Sequence, residues 1–235
     1  MTDVTKDLSS RIDAVRQRLE TAARRCNRST DEITLIAISK TQPTEMLRAA
    51  IDLGITDLGE NRVQEAEAKI VELGREAARW HLVGHLQENK ARRAISLFDI
   101  IHSLDSVSLA QRLDRLCVSE GRDELPVLVQ INLGGEESKT GTDPKALTAL
   151  LEAVTACQRL RLIGLMTLPP YFENAADGRP YFKTLREACD QLQREGRFGD
   201  RAGELSMGMS HDFEIAIEEG ATMIRVGTAI FGERG

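Results

Sequence analysis

Lys40 closes an apolar run, Leu35-Ile-Ala-Ile-Ser-Lys40, so a primary amine stands where a buried segment leaves the core. An amine so placed can attack a carbonyl carbon once it has shed its proton. At the ordinary lysine pKa near 10.4 only roughly one molecule in 2,500 is neutral at pH 7, so desolvation or a neighbouring cation such as Arg225 has to assist. Far along the chain, Ser206-Met-Gly-Met-Ser210 and Arg225-Val-Gly227-Thr228 offer what an oxyanion needs. Small residues let the main chain approach a ligand, and backbone N–H groups with one arginine can hold a phosphate. Each hydrogen bond to a charged oxygen contributes roughly 1.5–3 kcal/mol, so three or four suffice for a small phosphorylated molecule.

Other groupings lack the geometry for chemistry. His81 and His85 are four apart, but on an extended strand and its exit that spacing is roughly 13 Å, too long for shared metal ligation. Ser210, His211 and Asp212 are adjacent, whereas a catalytic triad must face inward across a site; the latter two are expected to open a helix. The chain contains no Walker or zinc signature, and Cys26, Cys117, Cys157 and Cys189 form no C-x-x-C pair, so reduced, structural thiols are expected.

What positions the lysine and the two turns follows from the hydrophobic period. Short apolar runs at 33–39, 55–59, 80–84, 99–103, 126–132, 160–166, 204–207 and 223–226 read as eight strands. Between them stand helical spacings: Leu47, Ala50 and Ile51; Val63, Ala66 and Ile70; Leu109, Leu113 and Leu116; Leu147, Leu150, Leu151 and Val154; Phe182, Leu185, Ala188 and Leu192. Pro43 and Pro144 suit first helical turns, Ser106 and Asp143 suit N-caps, and Gly54, Gly74 and Gly196 suit helix ends. Continuous rather than alternating apolar runs mean strands covered on both faces, hence a parallel sheet with right-handed crossovers. Eight such units in 235 residues predict a single-domain (β/α)₈ TIM barrel over 1–235. An open doubly wound sheet is the rival, but no G-x-G-x-x-G follows the first strand. Only residues 228–235 follow the last strand, too few for an eighth outer helix. Leu8, Ile12, Val15 and Leu19 instead form an apolar stripe on an N-terminal helix running to about Cys26, expected to pack beside strand eight and complete the ring. The segment from 169 to 180 reads as a surface excursion.

In such barrels the ends of the strands gather the chemistry. Here they carry Lys40, Glu60 and Asn61, Gly84 and His85, Ser103, Asn132, Met166 and Thr167, Ser206 to Ser210, and Arg225 with Gly227. A lysine facing a phosphate site is the arrangement used by a pyridoxal phosphate enzyme or carrier, whose lysine condenses with the cofactor aldehyde to a Schiff base. A phosphosugar isomerase would use the same phosphate turns but needs a carboxylate base, for which Glu60 is the obvious candidate.

Composition narrows the classes. With 31 Lys and Arg against 37 Asp and Glu, the net charge is −6 and no basic run interrupts it, which argues against nucleic acid or an anionic membrane as partner. At 41% hydrophobic residues the chain is not disordered by composition, and no run of about eighteen apolar residues could cross a bilayer. A soluble protein is expected. The start, MTDVTKDLSSRIDAV, lacks a secretory pattern, so a cytoplasmic location is expected.

At these residues the sequence resembles the pyridoxal phosphate homeostasis proteins, the YggS/PROSC family. The resemblance runs over essentially the whole chain: Ala37-Ile-Ser-Lys40, Gly59-Glu-Asn61, His81-Leu-Val-Gly-His85-Leu-Gln-Glu-Asn-Lys90, Gly164-Leu-Met166, Ser206-Met-Gly-Met-Ser210 and Arg225-Val-Gly-Thr-Ala-Ile-Phe-Gly232. It implies a barrel of the alanine-racemase type with the cofactor, pyridoxal 5'-phosphate, as an aldimine on Lys40. It further implies phosphate contacts around Ser210, Gly227 and Thr228, with Met207 and Gly208 in the same stretch, and Arg225 near the pyridine nitrogen. Asn61, Met166 and Ser206 would line the ring, and His85, at a position that varies in the family, is a further candidate for contact with the cofactor.

The function implied is carriage or regulation of the cofactor in vitamin B6 homeostasis, without substrate turnover, by a monomer that hands it to apoenzymes. A weak amino-acid racemase is the alternative. Related racemases take a second base, a tyrosine, from an additional C-terminal domain, whereas this sequence ends at Gly235 and its only tyrosines, Tyr171 and Tyr181, flank the loop after strand six.

Overall fold

A computed structural model of the protein describes residues 3–135 and 140–233. Eight strands pair in parallel and in chain order into a closed barrel: β1 (Thr34–Ile38), β2 (Asp57–Glu60), β3 (Arg79–Leu82), β4 (Ile100–Leu104), β5 (Leu125–Gln130), β6 (Leu160–Met166), β7 (Glu204–Met209) and β8 (Met223–Val226). The ring closes where β8 returns to β1, with Thr34 opposite Met223 and Ala37 opposite Val226. Around it run α1 (Asp3–Arg25), α2 (Thr44–Asp52), α3 (Val63–Leu73), α4 (Ala91–Leu97), α5 (Val107–Glu120), α6 (Leu147–Thr155), α7 (Arg179–Arg194), α8 (Phe213–Glu218) and a single turn, α9 (Thr228–Phe231). Among the described residues no helix is long and apolar enough to cross a membrane.

The expected strands are present and so is the punctuation, except that Pro43 stands at the extended N-cap of α2 rather than in its first turn. Ser106 caps α5 by accepting the Leu109 N–H, and Asp143 accepts the Lys145 N–H ahead of a short 3₁₀ turn at Pro144–Ala146. Gly54, Gly74 and Gly196 all have positive φ just beyond helices. The expected stripe on α1 is buried at Leu8, Ile12, Val15 and Leu19, and the helix packs on α2, α8 and α9, so it fills the gap that one turn after β8 cannot cover. Burying four such side chains contributes roughly 1.5–3 kcal/mol each. The excursion after β6 is irregular from 169 to 174, makes one 3₁₀ turn at Ala175–Gly178, and ends inside the first turn of α7 at Pro180.

The apolar interior has two compartments. The larger lies between strands and helices and takes Leu58, Leu82, Ile101, Val127, Leu165, Ile224 and Val226. The smaller lies inside the barrel: Ile36, Ile100, Leu128, Ile163, Met166 and Met223, with Ile38 and Leu168 against it. Strand parity makes this division, since successive side chains point to opposite faces.

One local irregularity matters for the site. Between β7 and β8 the register moves from Ser206 opposite Met223 to Met209 opposite Arg225, so β7 carries one extra residue. Gly208 absorbs it at φ +89°, where a Cβ would lie 2.6 Å from the Ala216 Cβ and 2.9 Å from the Phe213 Cα. Hence β7 runs two residues past its expected end at 207 and reaches the mouth on Met209.

Candidate functional site

At the C-terminal mouth of the barrel a cavity of ≈ 500 Å³ is lined by Lys40, Asn61, His85, Ser210, Arg225, Gly227 and Thr228, together with the apolar Ile38, Val83, Leu168 and Met209. Gly84, Thr140 and His211 complete it. Seven of the eleven residues that the sequence nominates therefore meet at one opening. The other four stand around it. Met166 and Ser206 are fully buried, Met166 within the barrel interior and Ser206 against the inward-facing His102 and Arg225. Met207 packs in the layer between strands and helices, and Gly208 against α8. The β7 bulge explains this difference: it gives the rim to Met209, which strand alternation alone would not select.

Lys40 is held by its neighbours. Lys69, on α3, is buried and directs its ammonium to the Ser39 carbonyl at 2.6 Å, Glu60 Oε1 at 2.6 Å and Glu65 Oε1 at 2.7 Å. Those three acceptors use all three of its protons. On the other side of Lys40, Thr41 sits at φ +64°, an uncommon conformation for a residue with a Cβ, and its N–H donates to Glu65. Its hydroxyl donates to the Lys40 carbonyl at 2.6 Å. Both peptide bonds flanking Lys40 are thus tied to α3. Glu60 is fully buried, accepts from Ser39 Oγ at 2.7 Å, and leaves its Oε2 without a partner; burial raises its pKa above the usual carboxylate value against the pull of Lys69. It faces α3 rather than the cavity, so Glu60 is not placed to act as the base that a phosphosugar isomerase would require.

Opposite, the turn from β8 into α9 meets the end of β7. Ser210 Oγ accepts from the Gly227 N–H at 3.1 Å and the Ala229 N–H at 3.2 Å, gathering a hydroxyl and main-chain donors at one point. His85 is half exposed, with its Nδ1 3.2 Å from Asp105 Oδ2, and burial raises the Asp105 carboxyl. Gly84 lets the β3 exit pass the β2 exit, because a Cβ there would lie 2.3 Å from the Asn61 carbonyl oxygen.

Arg225 forms the floor. It is 3% exposed and donates to Ser206 Oγ at 2.7 Å and the Thr167 carbonyl at 2.8 Å. Burial pulls its guanidinium down to about 10, opposed by Asp212, which still leaves it a cation at neutral pH. Behind it lies a group of residues that the sequence does not nominate. His102 Nδ1 is 2.9 Å from Ser206 Oγ, His102 Nε2 is 2.9 Å from His81 Nδ1, and His81 Nε2 is 2.8 Å from Asp57 Oδ1. Arg79 Nε donates to the same Asp57 oxygen at 2.6 Å, and these partners with His81 hold Asp57 at about 2 in spite of burial. Burial lowers both histidines below the ordinary value, His102 well below. Two histidines in buried strands are the sequence signal; their partners are remote in the chain.

The tyrosines stay out of the cavity. Tyr171 is 76% exposed with its ring 5.3 Å from that of His211, and Tyr181 lies 5.7 Å from Phe172. The four cysteines are free thiols, and burial raises Cys157 to about 11 and Cys189 to about 12, far from nucleophilic range.

The profile of the alanine racemase N-terminal domain matches residues 11–235. The pyridoxal phosphate homeostasis protein of Aquifex aeolicus strain VF5 is 43% identical over 95% of this chain and 97% of its own length. Its namesake from Escherichia coli K12 is 40% identical over 97% of both. The structure of PipY from Synechococcus elongatus PCC7942 with pyridoxal phosphate bound superposes with a TM-score of 0.83 at 39% identity, covering 96% of this chain and all of PipY. Alanine racemase from Corynebacterium glutamicum shares the fold, with a TM-score of 0.71 at 13% identity over 98% of this chain and 61% of the racemase. Fold, strand-end residues and similarity along nearly the full length agree, and the chain belongs to the alanine racemase N-terminal domain family, among its pyridoxal phosphate homeostasis proteins.

Proposed function

We propose that this protein binds pyridoxal 5'-phosphate at the barrel mouth and acts as a carrier or regulator of its supply, without turning over a substrate. The observation that carries the reading is the convergence of Lys40, Arg225 and the Ser210, Gly227 and Thr228 turn on one cavity. The donor set fits the cofactor. Its phosphate requires main-chain and hydroxyl donors, which the turn offers; its aldehyde requires an amine, which Lys40 offers; and its ring nitrogen is an acceptor, for which Arg225 is a donor. The volume also lies within the range of small-molecule sites. When bound, the cofactor supplies an aldehyde that combines reversibly with a lysine amine. Asn61 and His85 flank the opening, while Met166 and Ser206 support it from within the barrel. Met207 and Gly208 contribute through packing rather than contact.

Two observations favour a carrier over a racemase. The relatives at about 40% identity are named for homeostasis, and neither tyrosine lines the cavity to serve as a second base. Cofactor-dependent apoenzymes are the expected recipients, and the working unit is expected to be a monomer with no nucleic acid or membrane partner. Borohydride reduction in the presence of pyridoxal phosphate, followed by peptide mass spectrometry, should place a stable adduct on Lys40 and none on a Lys40→Ala variant. Absence of label on Lys40 removes the reading. Incubation with L-alanine should yield no D-alanine at enzymic rates, and turnover abolished by Lys40→Ala would make the protein a racemase.

A further inference from the structure

Across the barrel interior runs an unbroken series of contacts, from Arg225 through Ser206, His102 and His81 to Asp57, with every separation between 2.7 and 2.9 Å. Its ends are chemically one-sided: a guanidinium only donates and an ionised carboxylate only accepts. With both imidazoles neutral, as their burial favours, that fixes every proton between them. Asp57 can only accept, so His81 donates from Nε2 and has a lone pair on Nδ1. His102 must then donate to it from Nε2, which leaves the His102 Nδ1 lone pair to accept the Ser206 hydroxyl proton. Ser206 Oγ in turn accepts from Arg225. Four links take four protons, one from each donor, with each imidazole neutral. A further proton on His81 would reverse the His102 tautomer, so that Ser206 Oγ accepted from both His102 and Arg225 and the run of donors no longer pointed one way.

We propose that His102, backed by His81 and Asp57, is the positioning residue that holds Arg225 at the cavity floor, through a hydrogen-bond chain in which every proton points away from the arginine. Every dipole in the chain then turns its negative end toward the guanidinium and its positive end toward Asp57, and aligned links strengthen one another in a low-dielectric interior. The buried cation at the mouth is thereby coupled to a carboxylate on β2 through neutral groups alone. The charged groups around the imidazoles are Asp57 and Arg79 at the far end, Asp99 beside them, and Arg225 at the near end. With both donors of its inner edge committed to Ser206 and Thr167, Arg225 cannot swing from the floor without breaking the chain.

The chain is a property of the protein without ligand, so its decisive test needs none. Long-range ¹H–¹⁵N spectra of the ligand-free protein at about pH 7 should show both His81 and His102 as neutral Nε2–H tautomers. An Nδ1–H tautomer or an imidazolium at either position would overturn the assignment. In the same spectra, His102→Gln, which keeps one donor and one acceptor, should leave the His81 Nδ1 lone pair hydrogen-bonded, whereas His102→Phe should leave the Nε2–H on Asp57 but shift the Nδ1 resonance to that of an unbonded lone pair. The positioning role rests on the proposed cofactor site and is read separately. His102→Phe should weaken pyridoxal phosphate retention roughly tenfold, the equivalent of about 1.4 kcal/mol, and move the pH titration of the bound cofactor's visible absorption. His102→Gln should restore most of both. Wild-type retention and titration in a folded His102→Phe protein would refute the role. If the wild-type protein retains no cofactor, the proposed function falls, and the tautomers still decide the chain.

Discussion

Two buried polar networks flank the candidate site, and they solve the same problem in opposite ways. Outside the barrel, between β1, β2 and α3, the backbone around Lys40 is fixed by a full ionic cluster: one ammonium, two carboxylates, and no water-facing side on Lys69 or Glu60. Inside the barrel, Arg225 is fixed by neutral groups, with the compensating carboxylate at the far end of a histidine pair. An ion cluster is strong but intolerant, because removing one member leaves another charged and desolvated. A neutral chain is weaker per link but directional. The contrast suits the proposed site, in which Lys40 would need its Cα held still and Arg225 a defined set of donors.

The sharpest way to break the comparison is Lys69→Met. It leaves Glu60 buried without its cation, and urea unfolding should show a loss of about 3–5 kcal/mol, much of it recovered by adding Glu60→Gln. A loss under about 1 kcal/mol would mean that the cluster is not load-sharing at all and that Thr41 and α3 hold Lys40 unaided. Next in size, Arg225→Ala removes the buried cation from the chain's end and should weaken cofactor retention by roughly 1.5–3 kcal/mol. Unchanged affinity and absorption spectrum would remove the arginine from the ligand's surroundings.

Acid separates the networks by sign. Burial depresses both histidines below the 6.5 of an exposed ring. The unfolded chain therefore binds their protons first as pH falls, and this stability is whole above about pH 6.5 and declines below it. The slope should approach about 1.4 kcal/mol per pH unit for each histidine. Glu60 runs the other way: its raised pKa means that the folded state holds the proton more tightly, a contribution present in acid and lost as pH rises through the folded value. Denaturant midpoints for His102→Gln should accordingly fall less steeply below pH 6.5 than those of the wild type, and equal slopes would contradict a neutral His102. Smallest is Ser210→Ala. It deletes one acceptor for the Gly227 and Ala229 N–H groups and should change stability by roughly 0.5–1.5 kcal/mol while speeding cofactor release. Release no faster than wild type would take Ser210 out of the anion contacts.

Much of this was legible in the chain because it is local. Leucine and isoleucine spacing distinguishes strand from helix, Ser106 and Asp143 announce caps, and a lysine at the end of an apolar strand must emerge at a barrel mouth. Seven of the nominated residues share the cavity for that reason alone. The exceptions also have local causes that only the assembled sheet reveals. Met207 and Gly208 follow Ser206 in sequence, but the extra residue in β7 turns one outward and uses the other to clear α8.

The sequence by itself therefore determined the eight repeating units, the placement of Lys40 and Arg225 at strand ends, and the N-terminal helix that packs on α2, α8 and α9. Tertiary structure alone decided which buried polar groups meet. His102 and Ser206 are 104 residues apart and His81 and Asp57 are 24 apart. Strand periodicity states that each of these side chains points inward, but not at what height around a closed barrel. That depends on register and stagger, which are set by the whole ring at once.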